Sequence, residues 1–343
     1  MSDGQMVIVE KLVKVYPGGT RAVSGVDFTV SQGEFFAFLG PNGAGKSTTM
    51  KVLSTLLRKT SGRVVVASHD VDRDPRAVRR SIGFAMQEVG LDDLVTGWDL
   101  LVLQGILYGQ SRREARRRAE ELLDLVGLTP VAGRKVGTYS GGMRRRLDLV
   151  AALVHRPPLL FLDEPTTGLD PQTRLTIWEY LTQLNKQGVT VFLTTQMMEE
   201  ADRLCQRIAI IDQGQIVAQG SPRSLKAEVG GDVVHVTLAS QGREDGRSSA
   251  EEAERLATGR SYVAAVERTG TSLTVRVKDG SAAVPDLLRV LHESGVAVTN
   301  LSVASPTLDD VFLKYTGRKI RVEEAKGDEV AATLRPWLGL RRR

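Results

Sequence analysis

A glycine-rich segment at 40–47, GPNGAGKS, constrains the possible fold more than any other feature of this chain. It matches G-x-x-x-x-G-K-[ST] in every fixed position, and it lies between an apolar run at 34–39 and a helical pattern at 50–57. In such a strand–loop–helix unit, glycines let backbone N–H groups converge on phosphate oxygens at the positive end of a helix. The segment therefore predicts a nucleoside triphosphate as ligand; a plain glycine-rich turn is the alternative.

The chemistry expected at this loop requires a metal and a base. Lys46 is expected to reach the β- and γ-phosphates, and Ser47 to ligate Mg²⁺. Two adjacent carboxylates, Asp163 and Glu164, end the apolar run LLFLDE. Without the loop, such a pair would be equally consistent with a solvated turn and with a functional site. Together with the loop, it predicts that Asp163 completes the metal shell and that Glu164 polarises the attacking water.

The order of short apolar runs and helical patterns predicts a mainly parallel α/β sheet. Strands are expected at 159–163, 190–195 and 207–212, and a helical insertion at about 91–158. Beyond 221–231 the pattern changes to βαββαβ, which is typical of a small ferredoxin-like α+β domain. The predicted domains are an ATPase domain at 1–224, a C-terminal domain at 225–317 and a charged tail at 318–343.

Composition excludes several classes of protein. The longest apolar runs fall well short of the roughly 20 residues needed to span a bilayer. The N-terminus lacks the pattern of a secretory signal, and the only cysteine, Cys205, excludes an internal disulfide framework. Both features predict a cytoplasmic protein. A net charge of +5 is compatible with nucleic acid or with an anionic membrane surface, and it does not decide between them.

Over roughly residues 6–220 the chain resembles the ATP-binding subunit of an ABC transporter. GPNGAGKST resembles the Walker A loop of that family, and FLDEP resembles its Walker B segment. Gln87, at the end of IGFAMQ, matches the Q-loop, YSGG at 139–142 the signature and GLD at 168–170 the D-loop. Tyr16 stands where the family stacks an aromatic ring on adenine; a core tyrosine at a strand end is the alternative.

The resemblance implies the complete set of site residues. The nucleotide is expected to contact Tyr16, Gly40, Pro41, Asn42, Gly43, Ala44, Gly45, Lys46, Ser47, Thr48, Gln87, Ser140, Gly141, Gly142 and Asp170. The metal is expected at Ser47, Gln87 and Asp163, and the catalytic residues are Glu164, Gln196 and Lys46. ATP and Mg²⁺ are the expected ligands. By resemblance, Ser140–Gly142 face the ATP that Lys46 of a second copy holds.

Two positions depart from the family pattern. The signature reads YSGGM rather than LSGGQ, and the switch position, usually histidine, is Gln196. A glutamine donates and accepts hydrogen bonds but transfers no proton. This favours Glu164 as the base, with Gln196 orienting water or phosphate.

One branch of the family is especially similar, the daunorubicin-resistance-type exporters, whose ATPase carries a C-terminal extension. SPTLDDVFLKYTGR at 305–318 resembles the end of that extension. The resemblance implies a homodimer at the cytoplasmic side of the cell membrane, working with a separately encoded permease to export hydrophobic drugs, antibiotics or lipids. A soluble ABC-type ATPase acting on ribosomes or nucleic acid is the alternative; such proteins usually carry two cassettes or a long coiled-coil insertion.

Three basic segments remain to be interpreted. The arginine-rich helix at 111–123 is expected to be a solvated face over a buried side of Leu122, Leu123 and Val126; contact with membrane phosphates or the permease is the alternative. Nucleic acid is disfavoured because no aromatic residues interleave with the charges.

In the signature helix, Arg144 and Arg145 are expected to face solvent or the γ-phosphate region. Its buried face is expected to consist of Leu147, Val150, Ala151 and Val154. The tail is expected to be solvated, with contact to an anionic membrane as the alternative.

Overall fold

The structure is a computed structural model that describes residues 4–87, 89–239 and 249–317. The described chain divides after Gln219 into two compact units, each with a hydrophobic core. The tail predicted at 318–343, with its suggested membrane contact, lies outside the described residues. No described helix is long and apolar enough to cross a membrane.

The first unit contains ten strands and seven α-helices among its described residues, with the last strand ending at the boundary. In chain order they are β1 (Gln5–Val15), β2 (Arg21–Ser31), β3 (Phe35–Leu39), α1 (Lys46–Leu53), β4 (Ser61–Val66), β5 (His69–Asp70), α2 (Pro75–Ser81), β6 (Ile82–Ala85), α3 (Gly97–Leu107), α4 (Arg112–Leu125), α5 (Gly141–Ala151), β7 (Leu159–Asp163), α6 (Pro171–Lys186), β8 (Thr190–Thr195), α7 (Met198–Leu204), β9 (Arg207–Asp212) and β10 (Gln215–Gly220).

A six-stranded sheet with the order β10-β9-β3-β8-β7-β6 forms the centre of this unit. Strands β9, β3, β8, β7 and β6 pair in parallel, which confirms the predicted α/β fold. Leu39 is in register with Thr195, and Asp163 with Thr194. The carboxyl ends of β3, β7 and β8 therefore lie at one level of the sheet, where ligands bind in open parallel sheets.

A second, four-stranded antiparallel sheet, with the order β2-β1-β4-β5, packs against the parallel sheet. Five phenylalanine rings fill the space between them, with centroid separations of 4.8–5.9 Å: Phe28, Phe36, Phe38, Phe161 and Phe192. Each favourable aromatic pair adds about 0.5–1.5 kcal/mol beyond the burial of its area. The cluster therefore fixes β3, β7 and β8 against the second sheet. The carboxyl ends of these three strands carry the predicted nucleotide-binding and catalytic residues.

The segment predicted to be helical, 91–158, contains α3, α4 and α5, as expected. Helix α4 begins at a capping box, in which Ser111 accepts from the Glu114 backbone and Glu114 from the Ser111 backbone. The expected buried side is confirmed, since Leu122, Leu123 and Val126 are buried. The arginines expected to be solvated are exposed: Arg112, Arg113, Arg116 and Arg117.

The only cysteine, Cys205, is buried between α7 and β9. Burial raises the pKa of its thiol well above the usual value, with a smaller contribution from the negative charge of Glu200. The thiolate, which is the reactive form, is therefore suppressed in the folded protein.

The second unit is a four-stranded antiparallel sheet with the order β12-β13-β11-β14. Its described elements are α8 (Pro222–Val229), β11 (Asp232–Leu238), α9 (Ser249–Thr258), β12 (Val263–Thr269), β13 (Ser272–Val277), α10 (Gly280–Glu293), β14 (Val298–Ala304) and α11 (Leu308–Thr316). The predicted βαββαβ order is confirmed from β11 to β14. Alternate residues of the central strands, such as Val234 and Val275, are buried beneath α9 and α10.

Candidate nucleotide site

The glycine-rich loop joins β3 to α1, and its path requires glycine at two positions. A Cβ at Gly40 would lie 2.2 Å from the carbonyl oxygen of Ile211. Gly45 has φ +104°, and a Cβ there would lie 2.4 Å from the carbonyl oxygen of Ala22. These close approaches hold the loop against its neighbours, so that α1 begins at Lys46 with its N-terminal N–H groups at the carboxyl end of β3.

Lys46 is 4% exposed and turns back over the loop. Its Nζ donates to the carbonyl oxygens of Gly40 at 2.7 Å and Pro41 at 3.0 Å, and lies 3.4 Å from Glu164 Oε1. Burial lowers the pKa of Lys46, while the charges of Glu164 and Asp163 oppose that shift. A buried cation beside the N-terminal N–H groups of α1 is suited to bind anionic phosphate groups.

Asp163 is the last residue of β7 and is almost completely buried. Its Oδ1 accepts from Ser47 Oγ at 2.9 Å and from the hydroxyl of Thr194. The structure thus brings the first turn of α1 and the end of β7 together through two oxygen atoms of the predicted metal site.

Glu164 follows directly and has a left-handed backbone, with φ +47°. For a non-glycine residue this conformation costs of order 1–3 kcal/mol and persists only where the surroundings impose it. Here the Glu164 N–H donates to the Thr194 carbonyl at 3.0 Å. The carboxylate accepts from Gln87 Nε2 and Thr167 Oγ1, both at 3.3 Å. The strained backbone directs the carboxylate toward Lys46 instead of along the strand.

Gln196 follows β8 and is 7% exposed. Its Oε1 has no hydrogen-bond partner among the residues that the structure describes. The preceding Thr195 carbonyl accepts from the Gly40 N–H at 3.2 Å, so Gln196 adjoins the start of the loop. A buried, unsatisfied amide oxygen at this position is suited to accept a hydrogen bond from water.

A cleft of about 360 Å³ collects most of the predicted nucleotide contacts, a size within the usual range for ligand sites. It is lined by Ala22, Pro41, Asn42, Gly43, Gly45, Lys46, Ser47, Thr48, Gln87 and Glu164. Tyr16 lies beside it, with its hydroxyl 3.2 Å from Thr48 Oγ1. Ala44 is buried under the loop, where its carbonyl accepts from Gly214, so its predicted contact is limited to the backbone.

The remaining predicted residues form a second group, which lines no part of that cleft. Ser140 is exposed and caps α5, accepting from the Met143 N–H at 3.3 Å. Asp170 caps α6 by accepting from the Thr173 N–H at 2.9 Å, and hydrogen bonds from Thr173 lower the pKa of its carboxyl group. A Cβ at Gly142 would lie 3.5 Å from the Thr173 side chain. The starts of α5 and α6 therefore form one patch.

The expectation for Arg145 is wrong, since this residue does not face solvent or the cleft. It is 4% exposed and donates to the carbonyl oxygens of Pro165, Asp163 and Glu164 at 2.7, 3.1 and 3.2 Å. Helical spacing is the signal that was missed: positions 145, 149 and 152 share one face, and all three are buried.

The other arginines and the buried face of α5 agree better with expectation. Arg144 pairs with Asp93 at 2.7 Å and remains partly exposed. Arg146, whose orientation the sequence did not predict, donates to the Val126 carbonyl at 2.7 Å. The expected buried face is confirmed, with Leu147, Val150, Ala151 and Val154 all buried.

The pKa of Asp148, one turn after Arg145, provides a test of this buried arrangement. Burial raises the pKa from 3.8 to about 6, although Arg145 lies 3.3 Å away and opposes the shift. Because the folded-state pKa lies above the unfolded value, the folded chain binds the proton more tightly. The free energy of unfolding therefore falls as pH rises through about 4 to 6.

Asp148→Asn removes this titration. Relative to the wild type, we expect its free energy of unfolding to rise by about 1 kcal/mol between pH 5 and pH 7.5, since one pKa unit corresponds to about 1.4 kcal/mol. Urea denaturation at the two pH values measures the difference. Glu120→Gln, at an exposed position of α4, controls for loss of a carboxylate. An Asp148→Asn difference that does not change with pH would contradict the buried titration.

The fold and the cleft define a P-loop nucleoside triphosphatase. A family model described as "ABC transporter" matches residues 23–167, and one described as "ATP-binding protein DrrA1-3-like, C-terminal domain" matches residues 220–316. The chain belongs to the ATP-binding subunits of ABC transporters, in the branch that carries this C-terminal domain. It is an ATP-hydrolysing enzyme.

Several curated relatives share nearly the whole chain. Daunorubicin resistance ATP-binding protein DrrA2 of Streptomyces coeruleorubidus is 44% identical over 324 residues, covering 94% of this chain and 99% of that protein. Linearmycin resistance ATP-binding protein LnrL of Bacillus subtilis is 39% identical, covering 92% and 100%. A Nod factor export ATP-binding protein I of Rhizobium is 38% identical, covering 90% and 96%. The chain is thus similar to ATPases named for resistance and export.

Solved structures match about two thirds of the chain. The dimeric, post-hydrolysis ATP-binding cassette MJ0796, bound to ADP and Pi, has a TM-score of 0.59 and 30% identity, covering 63% of this chain and 98% of that one. CbiO1 of Clostridium perfringens, part of an ABC transporter complex, has a TM-score of 0.61 and 28% identity, covering 66% and 92%. Both likenesses confirm the cassette fold.

Proposed function

We propose that this chain is the ATP-hydrolysing subunit of an exporter, and that two copies of it enclose ATP between them. The observation that supports this proposal is that the motifs resembling those of the family form two separate groups on one chain. The cleft holds Lys46 and Glu164, whereas Ser140–Gly142 lie outside it, in the patch at the starts of α5 and α6. A helix N-terminus is an anion site, and in this arrangement it completes the cleft of the second copy.

Mg²⁺ is the metal that we propose for the cleft. Ser47 Oγ and Asp163 Oδ1 lie 2.9 Å apart and offer a hydroxyl and a carboxylate oxygen, the ligand type that Mg²⁺ accepts beside phosphate oxygens. Gln87 reaches the same region, since its amide donates to Glu164. The bound ion would neutralise charge on the transferring phosphoryl group.

For hydrolysis, we assign the proton-accepting role to Glu164. Its carboxylate is held by Gln87, Thr167 and Lys46, so it needs no reorganisation before it receives a proton from water. Gln196 supplies an amide oxygen that has no partner within the described part of the chain; this oxygen orients the water and takes no proton itself. Lys46 and the loop N–H groups stabilise negative charge on the phosphates.

The permease is the partner that we propose for an apolar surface at the end of α3. Leu103, Leu107 and Tyr108 are exposed there, Leu107 by 75%. Tyr108 and Leu56 line one cleft of about 250 Å³ next to α5. Exposed large apolar side chains that are grouped in this way are typical of an interaction site. As the exported molecule we propose a hydrophobic drug, antibiotic or lipid, with the chain on the cytoplasmic side of the membrane; relatives named for daunorubicin and linearmycin resistance support a role in resistance.

Copurification tests this proposal against action on ribosomes. We expect the tagged chain, solubilised in mild detergent, to retain a polytopic membrane protein, and drug to stimulate the ATPase rate of the reconstituted pair. Leu107→Glu should weaken that association, since it places a charge on the apolar surface, without changing the ATPase rate of the isolated chain. Glu120→Gln, at an exposed position of α4, is the control. Retention of ribosomes instead of a membrane protein would refute the proposal.

A further inference from the structure

Arg145 is a buried side chain whose donors are all hydrogen-bonded. Its guanidinium has five N–H donors, and every one has an acceptor. Nε donates to the Pro165 carbonyl, Nη2 to the carbonyls of Asp163 and Glu164, and Nη1 to the Met86 carbonyl and to Asp148. Four of these acceptors are backbone carbonyls, so a single side chain of α5 holds two distant stretches of main chain.

The first stretch is the turn that carries the catalytic carboxylate. Three successive carbonyls, from Asp163 to Pro165, point at the guanidinium, and Glu164 between them has the strained φ of +47°. A left-handed backbone at a glutamate persists only if several contacts impose it. Arg145 supplies those contacts from one side and Thr194 from the other. The direction of the Glu164 side chain therefore depends on Arg145.

The second stretch ends next to Gln87. The Met86 carbonyl accepts a hydrogen bond from Arg145, and the neighbouring Gln87 side chain donates to Glu164 Oε2 at 3.3 Å. The same guanidinium thus fixes the backbone on both sides of the Gln87–Glu164 hydrogen bond. A shift of α5 relative to β7 cannot leave that bond unchanged.

We infer that Arg145 is a positioning residue for hydrolysis, which sets the geometry of Glu164 and Gln87 from the helix that begins at Ser140–Gly142. The inference rests on the proposed role of Glu164. It implies that contacts made at the start of α5 reach the catalytic carboxylate through one side chain. A lysine at position 145 keeps the charge but offers three donors from one nitrogen, so it cannot hold carbonyls in a planar fork.

Arg145→Lys in the full-length chain tests this inference. We expect kcat to fall about 10- to 100-fold, since a misplacement of about 1 Å at a reacting group can cost about 100-fold. The Kd for a fluorescent ATP analogue should stay within about 3-fold, because the cleft contacts of Lys46 are untouched. Arg146→Gln is the matched control: it removes a guanidinium–carbonyl contact one residue along the same helix, and its kcat should stay within about 2-fold of the wild type.

A double-mutant comparison separates positioning from general stability. If Arg145 acts through Glu164, then Arg145→Lys should cause little further loss in a Glu164→Gln background, measured as single-turnover phosphate release. Arg145→Gln is the second variant, because its amide still donates hydrogen bonds to carbonyls while it removes the buried positive charge. An unchanged kcat, a loss of ATP affinity equal to the loss of kcat, or the same fold-loss in both backgrounds would overturn the inference. Failure of both variants to fold would also overturn it, by making Arg145 a residue of stability. Full turnover of Glu164→Gln alone would instead refute the proposed base.

Discussion

Glu164→Gln is expected to lower ATP turnover by about 100- to 1000-fold, since a general base contributes about 10²- to 10⁴-fold to such reactions. The amide has nearly the same shape and can still accept from Gln87 and Thr167, but it cannot take a proton from water. Steady-state phosphate release measures the effect. Because Lys46, Ser47 and the loop glycines are unchanged, binding of a fluorescent ATP analogue should stay within about 3-fold.

Glu199→Gln is a suitable control for this substitution. Glu199 lies in the first turn of α7, close in sequence to Gln196, but its side chain is exposed. We expect its turnover to stay within about 2-fold of the wild type. Wild-type turnover in Glu164→Gln would show that another group accepts the proton. Loss of nucleotide binding in that variant would show that Glu164 serves the binding of ATP instead.

Gly142→Asp is expected to abolish ATP-dependent dimerisation while ATP binding to the monomer remains. The position has room for a side chain, because a Cβ would meet Thr173 only at ordinary van der Waals distance. A carboxylate in the first turn of a helix favours the fold. In the proposed dimer, however, this carboxylate faces a bound triphosphate. It repels the phosphates that the N–H groups at the start of α5 would attract, and like charges juxtaposed across an interface cost several kcal/mol. We therefore expect dimer affinity to fall more than about 100-fold.

Sedimentation with ATP, in a Glu164→Gln background that slows hydrolysis, measures this dimerisation. Gly142→Ala is the matched control, since it adds the Cβ without the charge and should still dimerise. Normal ATP-dependent dimerisation of Gly142→Asp would refute the two-copy site. Loss of ATP binding in the same variant would place the start of α5 in the monomer's own cleft.

The sequence predicted the strands that carry the candidate site well, because the signals involved are local. The limits expected for β7, β8 and β9 agree with the structure, since buried parallel strands form continuous apolar runs between polar turns. Gly45 was recognisable within its motif because few residues can adopt its backbone conformation. Such positions need no knowledge of distant partners.

The contacts of Arg145 could not be predicted in the same way. Four of its five acceptors are main-chain carbonyls, and those of Met86 and Pro165 are 59 and 20 residues away in sequence. A carbonyl is present at every residue, so nothing in the sequence distinguishes those that accept. An arginine in a basic run also looks like a solvated residue. Only the helical spacing shows that position 145 lies on the same face as the apolar residues Leu149 and Ala152. The strained backbone of Glu164 is likewise a product of tertiary contacts.

The burial of Cys205 gives this chain an advantage for chemical labelling. Because its one native thiol is shielded and poorly ionised, reagents such as maleimides should leave the folded protein unmodified. A cysteine placed at exposed Ser140 or at Asn42 in the cleft then becomes a specific attachment point, with no need to remove the native residue. When denaturant makes Cys205 react, its rate of modification reports the opening of the first unit. The buried thiol of Cys205 can thus be used as a native probe of the unfolding rate.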